Sequence, residues 1–183
     1  MALTSTLIKV RIQLSDVDRG LYPTFELRLA QHPSEEGERV ILRLLALCLL
    51  HEEELAFGRG LSSTEEPALW VKHPGDTVAF WVEVGKPAAA RLHKASKRAE
   101  RVAVVTDRDR QLLKRTWQGE SVHRSEVLEV LLLPPDLVRE AAAHLGRSID
   151  WTITSMDGQL TIVDGETVIT GEFERTTLAD IVA

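Results

Sequence analysis

From Val40 to Leu50 the sequence is apolar on nearly every side of a helix. Such a helix cannot rest on a surface with one face in water; it has to be enclosed by other elements. The helix is read from Ser34 to about Leu55. His32-Pro33-Ser34-Glu35-Glu36 supplies a start, with Ser34 as N-cap and acids in the first turn to complement the dipole, and Gly58 and Gly60 follow its end.

The enclosing elements are strands. Leu3 to Leu14 alternates, with Leu7, Lys9, Arg11 and Gln13 between Ile8, Val10, Ile12 and Leu14, which is the period of a half-buried strand. After turn chemistry at Ser15 to Gly20, Thr24 to Leu29 alternates again, so the two form an antiparallel hairpin. A second hairpin joins Leu69–Val71 to Val78–Val84 across His73-Pro74-Gly75-Asp76. A helix from about Pro87 to Glu100 leads to Val102–Val105, a continuous apolar run that reads as a strand covered on both faces. Asp107 to Trp117 is read as helix, Val127 to Leu133 as another buried strand, and Pro135 to about Leu145 as a short helix. The tail is a meander of Ile149–Thr154, Gln159–Val163 and Thr167–Phe173, with type I′ turns expected at Asp157-Gly158 and Asp164-Gly165. The expectation is one α+β domain over residues 1–183: a central mixed sheet flanked by helices, with a C-terminal antiparallel meander.

Composition narrows the function classes. Charged residues make up 27% of 183 and apolar residues 44%, as in ordinary folded domains. The first ten residues hold no unbroken apolar run and Leu44–Leu50 is too short to span a bilayer, so neither a secretory signal nor a membrane partner is expected. The single cysteine, Cys48, forms no internal disulfide and fits a cytoplasmic location. A net charge of −6 argues against coating nucleic acid with the whole surface, though not against a local basic patch. HExxH, GxGxxG, P-loop and GxSxG patterns are absent from the sequence, which removes zinc-protease, nucleotide-binding and triad-hydrolase readings at the motif level.

Three features carry candidate chemistry. At ~100° per residue, Glu38 falls on the helix face of Ile41, Leu42, Leu45 and Leu49, where a carboxylate is costly unless paired or metal-bound; a dipole or arginine partner would also account for it. Glu83 ends the apolar strand in Trp81-Val82-Glu83-Val84-Gly85-Lys86, a place from which a carboxylate could hold Mg²⁺ or simply face solvent. Arg91, Lys94, Arg98 and Arg101 recur at helical spacing with Lys86, His93 and Lys97 nearby, a stripe that could follow a phosphate backbone. Any solvated helix face can look the same.

His32-Pro33-Ser34-Glu35 with Glu38-Arg39, Arg43-Leu44-Leu45-Ala46, Gly60-Leu61, Glu66-Pro67, Trp81-Val82-Glu83-Val84-Gly85 and Arg91 with Lys94-Ala95 together resemble the YaeQ family, in order and spacing across nearly the whole chain. The resemblance implies a variant of the PD-(D/E)XK nuclease fold and a metal-dependent phosphodiester hydrolase acting on or binding nucleic acid. By position it implies Glu38, Glu66 and Glu83 as metal ligands for Mg²⁺, with Asp76 as the alternative to Glu66. It implies Glu66, Glu83, Lys86 and Lys94 as the catalytic set, while the helical stripe of Arg91, Lys94, Arg98 and Arg101 supplies the expected nucleic-acid contacts. The sequence departs from that pattern twice: Gly85 stands where the triplet's lysine belongs, and Ala68 where an acid after proline is expected. The alternative expectation is therefore an inactive nuclease-fold protein that binds a protein or nucleic-acid partner.

Overall fold

The computed structural model describes residues 4–183, so Leu3, taken above as the start of the first strand, lies outside the described residues. The architecture is α+β, but it holds two mixed sheets where the sequence suggests one. In the first, β1 (Thr6–Asp16) and β2 (Thr24–Gln31) form the expected hairpin. The C-terminal meander of β8 (Ser148–Met156), β9 (Gln159–Asp164) and β10 (Thr167–Glu172) joins it through parallel pairing of β1 with β8, which sets Ile12 opposite Trp151. The strand order is β10-β9-β8-β1-β2. The reason is the one-sided alternation of these strands: Ile8, Val10, Ile12, Leu14, Trp151 and Ile153 all turn to one face and need common cover.

The second sheet has the parallel core β5 (Val78–Val84), β6 (Ala99–Thr106) and β7 (Glu129–Leu132). Antiparallel strands β4 (Leu69–Lys72), β3 (Ala56–Phe57) and β11 (Glu174–Thr177) complete the order β11-β7-β6-β5-β4-β3. The two-residue β3 and the late β11 carry too little periodicity to be read from sequence. Helix α1 (Gly37–Leu49) is enclosed as its composition demands, in a core it shares with α4 (Pro135–Ala143) and the inward residues of both sheets. The far face of the second sheet, with Trp81, Val102, Val104 and Val130, is covered by α2 (Ala89–Arg98), α3 (Arg110–Trp117) and α5 (Leu178–Val182). The run at Val102–Val105 is thus covered on both sides, as read.

Several boundaries differ for physical reasons. Ser34 is not the N-cap of α1: its N–H meets His32 Nδ1 at 3.1 Å, and the helix starts after Glu36 without a side-chain cap. The helix stops at Leu49 rather than Leu55: Leu50 leaves the helical region at φ −112°, and a separate turn from Glu52 to Leu55 carries Glu54 at φ +66°. α2 stops at Arg98, so Arg101 lies on β6 and not on the helix. The Asp157-Gly158 turn has φ of +50° and +76°, the type I′ signature. In the next hairpin Asp164 pairs with Thr167, so the two turn residues are Gly165 and Glu166, and only Gly165 has positive φ, at +58°.

Candidate functional site

The parallel pair β5–β6 ends where Gly85 N–H donates to the Val105 carbonyl at 2.9 Å. Gly85 there takes φ +80°, a conformation that side chains resist, which is a local reason for glycine at this strand end. Beyond this carboxyl end opens a cavity of about 400 Å³, walled by Glu38, Arg39, Glu83, Lys86, Asp107 and Arg108. Open α/β sheets commonly take their ligands in this position.

Glu83 is a buried acid of the site, with 4% of its surface exposed. Its neighbours Val82 and Val84 face α1, so alternation turns Glu83 to the α2 side with Trp81. Trp81 Nε1 donates to Glu83 Oε1 at 2.7 Å and Arg91 Nε donates to the same oxygen at 2.6 Å. Burial still pushes the carboxyl above the usual range, against the pull of these two donors. Arg91 is spent on the fold as well as on Glu83: Nη1 donates to the Thr64 carbonyl at 2.6 Å and Nη2 to that of Glu66 at 2.9 Å.

The three acids proposed for a metal do not gather. Glu38 is half-buried on the wall of the 400 Å³ cavity beside Glu83. Glu66 lines a neighbouring cavity of about 200 Å³, with Arg39, Glu83 and Arg91 common to both. The Glu66 carboxylate accepts from Arg59 N at 2.8 Å and from Arg59 Nε at 2.8 Å, and these contacts hold it below the usual carboxylate range. Asp76 is exposed in the β4–β5 turn at φ +63°, at the opposite end of β5 from Glu83. Among the described residues no three Asp, Glu, His or Cys side chains stand close enough to hold one ion.

The basic residues also separate. Lys86 is exposed at the cavity rim. Lys94 is exposed and paired with Glu65 at 3.1 Å. Arg98 is exposed with its guanidinium 5.7 Å from the Trp81 ring centre. Arg101 turns to the other face of the sheet, 4.0 Å over the Phe80 ring, and pairs with Glu52 at 2.8 Å. The single stripe expected from helical spacing is broken because the helix ends before Arg101.

Two site residues escape the sequence reading. The costly buried acid near the start of α1 is Glu35, not Glu38: it pairs with Arg43 at 2.7 Å and Arg39 at 3.2 Å. The spacing of Glu35 to Arg39 and Arg43 was the available signal. Asp107 follows directly on β6 and lines the cavity, with Arg108 Nε 3.4 Å from its Oδ1. Its position after a buried parallel strand was the clue.

The family model described as "YaeQ protein" matches residues 1–173. The chain belongs to the YaeQ family. It is 33% identical to YaeQ of Escherichia coli (strain K12) over 166 residues, which cover 90% of this chain and 91% of that relative. YaeQ of Salmonella typhi is 32% identical over the same shares. The crystal structure of YaeQ from Pseudomonas syringae superposes with a TM-score of 0.84 at 33% identity, covering 94% of this chain and 96% of that one. YaeQ from Xanthomonas axonopodis pv. citri gives 0.84 at 30% identity, over 95% and 98%. The two-sheet arrangement is therefore that of YaeQ structures, and the cavity beyond β5 and β6 sits within the matched region.

Proposed function

We propose that this YaeQ family member is a nucleic-acid-binding protein with a nuclease-type core in which an internal guanidinium stands where a catalytic metal would. The observation that carries this is the Arg91–Glu83 pair at 2.6 Å, with Trp81 on the same oxygen. A divalent ion at Glu83 would have to displace a fixed positive charge or share a carboxylate with it. The remaining requirements of metal-assisted hydrolysis are also short: Glu66 is bound by Arg59, position 68 is alanine, and Gly85 carries no side chain. The residues present do not fit a Mg²⁺ centre of the PD-(D/E)XK kind. Nucleic acid as the ligand class comes from the family resemblance and from the exposed cations of α2, namely Lys94, Lys97 and Arg98.

A hydrolase is the competing reading. It is favoured by one observation, that Glu38 and Glu83 open onto one cavity with Lys86 at its rim. Incubation of labelled DNA and RNA oligonucleotides with the protein and Mg²⁺ or Mn²⁺ separates the two. The expected result is a rise in fluorescence anisotropy at low salt with no shortened product. Metal-dependent cleavage that disappears in Glu83→Gln would establish the hydrolase instead.

A further inference from the structure

The cations of α2 that have no carboxylate partner line a cavity other than that of Glu83. Arg91 and Lys94 are committed to Glu83 and Glu65. Lys97 and Arg98 line a different cavity of about 330 Å³, at the opposite end of β5, which Arg124 closes from the loop before β7. The one acid in its lining, Glu100, faces His73 at 3.3 Å. Among the described residues, Lys72, Lys97, Arg98 and Arg124 form no ion pair with a carboxylate. Arg124 holds φ +57°, a left-handed conformation that glycine or asparagine would adopt at lower cost.

An aromatic surface continues from this cluster. Lys72 pairs with Val78, which lines the same cavity, and Trp70 lies two residues before Lys72 on the same face of β4. α2 covers Trp81 but leaves Trp70 half-exposed at the flank, 6.2 Å from Trp81 in an edge-to-face pair. Arg98 reaches back over Trp81, and the Lys72 ammonium stands 3.9 Å over the Trp70 ring. Unpaired cations beside an accessible aromatic ring suit a strand whose bases are free to stack, because an aromatic face accepts any base and the cations follow its backbone. A duplex keeps its bases stacked inside and gains nothing from Trp70.

Building on the nucleic-acid reading above, we infer that single-stranded nucleic acid lies along the flank of α2, from Trp70 beside Trp81 to the end of the sheet away from Glu83. A base stacks on Trp70, displacing the Lys72 ammonium toward a phosphate, while Lys97, Arg98 and Arg124 take neighbouring phosphates. The Glu83 cavity is then not the main contact.

The test is anisotropy of labelled single-stranded and duplex oligonucleotides against three proteins. These are the wild type, a surface variant Lys97→Ala/Arg98→Ala/Arg124→Asn, and a cavity variant Lys86→Ala/Arg108→Ala. The expected result is tighter binding of the single strand, at least about tenfold weaker binding by the surface variant, and little change in the cavity variant. The slope of log affinity against log salt should fall by roughly 2 in the surface variant, for three lost contacts on a single strand. Quenching of tryptophan fluorescence by an unlabelled strand should be lost in Trp70→Phe, whose ring preserves the fold. Weakening confined to the cavity variant, or equal affinity for duplex, would overturn this footprint while leaving nucleic-acid binding in place. An absence of all binding at low salt would remove the broader reading with it.

Discussion

Arg91 Nε meets Glu83 Oε1 at 2.6 Å, and the two outer nitrogens of the same guanidinium meet the carbonyls of Thr64 and Glu66. One side chain from the first turn of α2 therefore anchors the helix to the end of β5 and to the chain that leads into β4. A cation near a helix N-terminus is unfavourable to the dipole, so the three acceptors must supply what holds it there.

Removing Arg91 should accordingly cost more than a surface substitution. Arg91→Ala leaves the Glu83 carboxylate, on a side chain that is 6% exposed, without its charged partner. The expected loss is about 2–4 kcal/mol, below the range for fully enclosed pairs because Arg91 itself is one-third exposed. Replacing both partners, as Glu83→Gln/Arg91→Leu, should cost less than Arg91→Ala alone, because no buried charge is stranded and the side-chain amide carbonyl introduced in place of the carboxylate still accepts from Trp81. Urea denaturation of the three proteins checks this. A double variant as unstable as the single one would mean that the carbonyl contacts of Arg91 carry the stability.

Much of this fold is legible in the sequence, and the gaps have identifiable causes. Alternation in β1 and β2, the all-round apolar α1 and the β-branched run in β6 report burial directly, and each element is found, α1 with shorter bounds than read. Alternation says which face is buried and nothing about which strand lies alongside, so the parallel pairing of β1 with β8 across more than half the chain is invisible to it. The site divides in the same way. Glu83 was legible because a carboxylate ending a core strand is unusual. Its partner was misjudged because Arg91 shares helical spacing with truly exposed cations, and spacing does not record that Glu83 lies at hydrogen-bonding distance.

Glu83 and Glu66 should respond to pH in opposite directions. Burial raises the Glu83 carboxyl above the usual value of 4.5, so its native form binds a proton that the unfolded chain does not yet hold. Its contribution to stability therefore grows as pH falls through the raised value and levels off below about pH 4.5, the unfolded value. Arg59 lowers the Glu66 carboxyl, so its contribution is present above the unfolded value and is lost as pH falls through the lowered one. The stability gap between wild type and Glu83→Gln should widen on acidification from neutral pH, and the gap for Glu66→Gln should narrow. Denaturation curves from neutral pH to the acid limit of folding measure both slopes. Parallel slopes would contradict the assignment.

Cys48 should behave as a core residue rather than a reactive thiol. It has no exposed surface, and burial pushes its thiol up to about 12, leaving almost no thiolate at neutral pH. A disulfide reagent should label the native protein only as fast as the core opens, and should label one thiol per chain promptly once denaturant is added. Prompt labelling without denaturant would show that the α1 core opens locally.

The clearest consequence of Arg91 standing beside Glu83 concerns divalent ions. In the wild type an incoming Mg²⁺ meets a guanidinium already on Glu83 Oε1, and the electrostatic gain at that carboxylate is taken. Mg²⁺ should then leave the melting temperature unchanged once ionic strength is matched with monovalent salt. In Arg91→Ala the carboxylate regains an unmet negative charge next to the cavity that Glu38 shares, and hard oxygen ligands of this kind suit Mg²⁺ or Mn²⁺. An ion that binds the native state alone stabilises it by about 2.7 kcal/mol at a hundredfold excess over its dissociation constant. For a chain of this length that is a rise of roughly 5 °C or more in melting temperature. The rise should appear in Arg91→Ala, vanish in Arg91→Ala/Glu83→Gln, and be absent from the wild type. An equal rise in the wild type would mean that the ion binds without displacing Arg91, and the guanidinium could no longer be regarded as filling the metal's place.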